Sequence, residues 1–227
     1  MARRGSRGRA AVDWDAVADV TLPELRGADR GDLRPAGLHD GLDFDGVEFG
    51  DVAAEGASLL ECRLTGCAVG EARMPRGRLA SCVLADLRAT ALDTSGSKWS
   101  DVVVRGSRIG ALVAPGSNLA RVSFDHDRFD YLNLHGATAA QVQFVGCRIG
   151  ELDLGSGRLT DVRLHSCEVG RLVLTGSVLD EVDLRGADLA ALEGIGSLAG
   201  SVISEDQLAR LAPALAAHHG IRVSPPD

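Results

Sequence analysis

Lysine is nearly missing from this sequence: Lys98 is the only one among 24 basic residues. The arginine bias reads as the codon usage of a GC-rich bacterial genome rather than as chemistry. Aromatic residues reach only 4 %, so the core must come from Leu, Val, Ile and Ala. No window of about 18 apolar residues occurs, and no apolar run follows the four arginines of MARRGSRGRA. Neither a membrane span nor a signal peptide is expected, which places the chain in the cytoplasm. The five cysteines, Cys62, Cys67, Cys82, Cys147 and Cys167, show no CxxC and no Cys/His ligand spacing, so no metal and no disulfide framework is expected. A basic body is missing too. The formal charge is -8, with +4 in residues 1–10, -4 in 11–40 and -7 in 41–200. That distribution argues against direct nucleic-acid binding, which favours a basic surface.

What is present is a beat. Residues 121–200 divide into four lines of twenty, and within each a large apolar residue recurs every five positions, as at Phe124, Phe129 and Leu134, then Phe144, Ile149 and Leu154. A period of five is neither 3.6 nor 2, and it demands one short segment and one corner per repeat. From Phe44 to Leu189 the phase holds across thirty central positions; the small or polar exceptions are Ala54, Ala89, Thr94, Ala114 and Ala139. Two residues before each centre lies a second inward position, because side chains two apart on an extended segment share a face. There the period lengthens to twenty: Val102, Val122, Val142, Val162 and Val182 recur, as do Leu92, Leu112, Leu132, Leu152, Leu172 and Leu192. A pattern that repeats every fourth segment means four faces per turn. The remaining positions are small or charged, with glycine frequent at two corner series, 46, 66, 106, 146, 186 and 50, 70, 110, 150, 170.

Ala187-Asp188-Leu189 is a full unit of Ala, Asp or Asn, then Leu, and Leu152-Asp153-Leu154, Val182-Asp183-Leu184, Leu132-Asn133-Leu134 and Ser117-Asn118-Leu119 come near it. Over residues 31–200 the chain resembles the pentapeptide-repeat protein family. The resemblance implies an all-β solenoid, a right-handed quadrilateral parallel β-helix. It departs from the unit where Arg73, Arg78, Arg88, Arg108, Arg128, Arg148, Arg158 and Arg163 take the Asp/Asn position. Eight twenty-residue coils fit between 41 and 200, a rod of about 38 Å at about 4.8 Å per strand. The expected organisation is a disordered basic tail over 1–10, an N-terminal cap with out-of-phase first repeats over 11–40, the β-helix over 41–200 and a helical cap over 201–227. Leu33 and Leu38 carry the early beat one residue out of phase with Phe44, which predicts an inserted, bulge-like residue near Asp40 or Gly41.

Open strand edges at the rod's ends must be covered. At the C-terminus, Ser204 and Gln207 form a capping-box signature, Ile203 and Leu208 sit at staple positions, and Gly220 stops a helix. Leu208, Leu211, Ala212 and Leu215 predict its apolar face, and Pro213 predicts a kink or a split. Capping of a monomer is favoured over pairing of two chains through this helix.

No catalytic constellation or cofactor motif emerges. The histidines do not align in a column, and the cysteines occupy small inward positions. Asp127 takes such a position as well, and it predicts a carboxylate satisfied by corner amides. The composition therefore points to a scaffold that binds a protein partner and is not an enzyme. The resemblance adds a second reading, a modulator or protector of DNA gyrase that imitates duplex DNA. Such a rod would need about 22 negative charges to match the duplex, whereas residues 41–200 carry a net -7. The densest acidic stretch, and the candidate binding patch, is Asp43, Asp45, Glu48, Asp51, Glu55 and Glu61.

Overall fold

The computed structural model describes residues 11–224; the basic segment 1–10, expected to be disordered, lies outside the described residues. Between Arg26–Gly27 and Ser201–Val202 the chain winds into a right-handed, four-sided parallel β-helix of about nine turns, with every strand pairing parallel. Partners lie one superperiod apart: Val102 registers with Val122, Val142 with Val162, and Val162 with Val182. All five of these valines are at most 1 % exposed. The sequence columns are therefore spatial columns.

Each five-residue unit supplies two inward side chains around one outward one, then turns. On the first face the centres run from Phe44 through Leu84, Phe124 and Phe144 to Leu184; on the second from Phe49 through Ile109 and Phe129 to Val169. The third face runs from Ala54 through Thr94 and Leu134 to Leu174, and the fourth from Leu59 through Trp99 and Leu119 to Leu179. Phe124 stacks on Phe144 at 4.9 Å and meets Phe129 edge-on at 5.8 Å, an arrangement that adds to the burial of the rings themselves. Thiols, hydroxyls and the Trp99 indole find partners within the columns, with Thr94 as an exception. Trp99 Nε1 donates to Ser97 Oγ at 2.8 Å, and each cysteine thiol reaches a carbonyl of the preceding coil, as Cys147 does to Phe124 O at 3.4 Å. All five cysteines are free and buried, and burial pushes the Cys67 thiol above its ordinary value.

The two glycine series differ in their reason. Gly46, Gly66, Gly106 and Gly146 have φ of 61–63°, the left-handed corner where glycine costs least. Asp86, His126 and Ser166 take that same corner on other coils, at 53–55°. On the second face the requirement is close approach: a Cβ on Gly110, Gly150 or Gly170 would stand 2.6, 2.5 and 2.5 Å from a carbonyl oxygen one coil below.

Thr94, one of the small centres, has a buried hydroxyl with no hydrogen-bond partner. It lines an apolar cavity of about 80 Å³ together with Ala54, Ala72 and Trp99. Thr94→Val keeps the shape and removes the orphan hydroxyl, so the unfolding free energy should rise by about 1–2 kcal/mol; urea denaturation of both proteins measures it.

Three expectations require correction. The phase does not slip at Asp40 or Gly41. His39 registers with Leu59 and is 5 % exposed, while Leu38 points outward at 69 %. The histidine tolerates the inward slot because its Nε2 lies 3.1 Å from Arg34 O and 3.3 Å from Arg34 N. The N-terminal segment also behaves differently from an end cap. Arg26–Gly27 pairs with Leu42–Asp43 at the rod's end, but helix α1, Trp14–Ala18, lies on the flank, against strands 98–105, 118–125 and 138–145. Val83 and Val103 face outward yet are 7 % and 5 % exposed, and Gln143 donates to Trp14 O at 3.2 Å while Arg163 covers the Trp14 ring at 4.6 Å.

The third correction concerns helix α2, Glu205–His218, which runs unbroken through Pro213. Pro213 and Ala209 are exposed, so the carbonyl deprived of its donor faces water. Its docking face is rotated from the expected one. Gln207 is 4 % exposed, Leu211 and Leu215 are half-buried, and Leu208 is 50 % exposed.

Candidate functional site

The six acids of the expected patch encircle the first coil instead of sharing a surface. Asp43 and Asp45 flank Phe44 on the first face, Glu48 stands on the second, Asp51 and Glu55 lie at corners around the third, and Glu61 occupies a corner with φ of 51°. Three of them are already occupied. Arg63 Nε donates to Asp43 at 2.9 Å, Arg76 pairs with Glu55, and Asp51 accepts the Glu71 amide at 3.0 Å. The Arg63 hydrogen bond holds the Asp43 carboxyl below the usual carboxylate range. Two short outward turns cannot bring acids from all sides onto one plane, because each corner redirects the side chains by a face.

Asp127 sits inward on the second face at 1 % exposure. Its carboxylate accepts the Ser107 amide at 2.7 Å and the Asp125 amide at 3.1 Å. One coil below, Ser107 Oγ does the same for the Leu87 amide at 3.1 Å. The carboxylate thus belongs to a column of side chains that satisfy corner amides. Burial pushes its pKa up to about 7, against the two amides and with Asp125 adding repulsion. A folded pKa above the unfolded value means that the fold binds this proton more tightly. The stabilisation is complete below about pH 4 and is lost as pH rises through about 7. Between pH 5 and pH 8 the wild type should lose about 2–3 kcal/mol relative to Asp127→Asn. Urea midpoints of both proteins at the two pH values test it, and parallel curves would refute it.

Outward columns carry most of the charge. The ion pairs climb them one coil at a time: Arg121 with Asp101, Arg171 with Glu151 at 3.4 Å, Arg148 with Glu168 at 3.2 Å. Arg78 and Lys98 stand in like-charge register on the fourth face, and a longer run departs from this rule on the second. On the second face Arg88, Arg108, Arg128 and Arg148 stand in direct register, followed by Glu168. Among the described residues Arg88, Arg108 and Arg128 have no ion pair. These arginines are visible in the sequence as departures from the Asp/Asn position, but only the twenty-residue register aligns them. They line two adjoining depressions of about 420 and 430 Å³, whose floor includes Gly106, Gly150 and Gly170.

The described residues hold no group of three His, Cys, Asp or Glu side chains arranged for a metal, and no helix long and apolar enough to cross a membrane. The family model described as pentapeptide repeats (8 copies) matches residues 158–190. Among solved structures, a trypsin-treated variant of QnrB1, a plasmid-mediated fluoroquinolone resistance protein, is similar at 17 % identity and a TM-score of 0.36, over 88 % of this chain and 96 % of that one. HetL from the cyanobacterium Nostoc, a pentapeptide repeat protein involved in heterocyst differentiation regulation, is similar at 15 % identity and a TM-score of 0.32, over 73 % of this chain and 91 % of that one. A search of curated proteins gives no match. The matched segment is in unbroken register with the coils below it, so over residues 158–190 the chain is similar to pentapeptide repeats, and the same twenty-residue register runs on through the rest of the rod.

Proposed function

We propose that the rod is a non-catalytic scaffold that engages a protein partner through its flanks, in the cytoplasm. The observation that carries this reading is the contrast between inside and outside. Side chains from four faces fill the axis, down to the stacked Phe124 and Phe144, while unpaired arginines stand on the surface. Chemistry on a small molecule needs convergent polar groups in a cleft; a regular rod instead offers long faces of differing charge.

The rival reading, imitation of duplex DNA toward gyrase, needs a continuous acidic face. The six acids at the N-terminal end are divided among faces, and three are engaged, so the scaffold reading is the better supported. Capture from a bacterial lysate tests it, with the full chain as bait, folded and after denaturation on the beads. Proteins retained only by the folded bait support the scaffold; gyrase subunits among them would favour the rival. Retention of nothing beyond the denatured control overturns the proposal.

A further inference from the structure

We infer that the arginine column of the second face is a docking site for a short, acidic, extended protein segment; this rests on the scaffold reading and names the partner's chemistry. Like charges in register on neighbouring strands destabilise a sheet. Arg63, Arg121 and Arg171 each have an acid one coil away, and the like-charge register of Arg78 with Lys98 on the fourth face is two residues long, so the uncompensated run at 88, 108 and 128 stands out by its length. A bound anion would remove the repulsion that the fold leaves in place.

The dimensions select the ligand. Arg88, Arg108 and Arg128 at about 4.8 Å spacing span about 10 Å, and Arg148, already shared with Glu168, extends the row to about 14 Å. Alternate side chains of an extended segment recur about every 6.8 Å, so three carboxylates on alternating residues cover the same length. The neighbouring floor is nearly bare: Gly110, Gly150 and Gly170 lie two positions beyond the column, with Asp130 as the one acidic side chain in that strip. Because the floor glycines lack side chains, a peptide backbone can come close to the sheet while its carboxylates reach the guanidinium groups, which favour bidentate contacts.

The column's ends exclude a longer polyanion. Beyond Arg148 stand Glu168 and Asp188, and beyond Arg88 stand Ala68 and Glu48. A nucleic-acid backbone following the rod would meet carboxylates at both ends, on a protein of net charge -8. A segment with about three charges ends before it meets them.

The test uses the full chain and a fluorescent peptide alternating Glu and Thr, followed by anisotropy. Saturable binding that weakens with salt is expected. The double variant Arg108→Gln/Arg128→Gln should bind about tenfold more weakly and melt no lower than wild type, since it relieves repulsion. Lys98→Gln and Arg158→Gln, on the fourth face, should leave binding unchanged. Equal binding of a Gln-Thr peptide, no loss in the double variant, or tighter binding of an oligonucleotide of matched charge would overturn the inference. So would sedimentation showing that this column serves to join copies of the chain. A lysate partner still held by the double variant would leave the scaffold standing and refute the column. Peptide binding with no captured partner would do the reverse.

Discussion

Val162→Asp is expected to eliminate soluble, folded protein. Val162 is 1 % exposed and registers with Val142 below and Val182 above. Its neighbours in the column therefore offer no side-chain donor to a carboxylate. Burying an unpaired charge there costs about 4 kcal/mol or more, a large part of the roughly 5–15 kcal/mol that stabilises an ordinary domain. Val162→Ala, which leaves only a cavity, should cost about 1–3 kcal/mol and stay soluble. Soluble fraction and thermal melting of the pair separate the effect of charge from that of volume. A soluble, cooperatively melting Val162→Asp would mean that the column is wetter than its burial indicates. The contrast with Asp127 is instructive, because that inward carboxylate survives by accepting two corner amides.

The five-residue beat and the twenty-residue register were legible because interior packing allows so few choices: a coil that buries two residues in five repeats its constraint at every turn. The ends and surfaces obey weaker constraints. His39 broke the apolar rule inward and Leu38 broke it outward, so a beat counted on leucines shifted the frame by one residue. The flank under α1 did leave a trace. Val83 and Val103 occupy outward positions where other coils carry Arg63, Arg163 or Asp183, and two valines in register on an exposed face call for a cover. The strand that carries Val103 is met by residues 14–18, far away in sequence, and no local pattern announces such a contact. The acids at 43–61 show the opposite failure. They are dense along the chain, but every corner sends the next one to a different side.

Deleting residues 203–227 is expected to make the rod aggregate, because α2 completes the hydrogen bonding of the last coil. Ser204 and Gln207 form the reciprocal capping box, at 2.9 and 3.2 Å. The same Gln207 then donates to Leu184 O at 2.7 Å and Ala187 O at 2.8 Å. These bonds fix the helix rotation: Leu211 and Leu215, four and eight residues on, share the Gln207 side, whereas Leu208 is turned away. At the far end Gly220, with φ of 68°, and Ile221 donate to Ala217 O and Ala216 O and close the helix. Gln207→Ala removes half of the capping box and both bonds to the coil, and should cost about 2–4 kcal/mol. Without α2, the edge left by residues 178–193 presents unpaired backbone groups to other chains. Sedimentation of the full chain and the truncation at several concentrations decides the helix's role. Aggregation of the truncation shows a cap, whereas a soluble truncated monomer from a dimeric parent would show that Leu208 and its exposed neighbours exist to pair two rods.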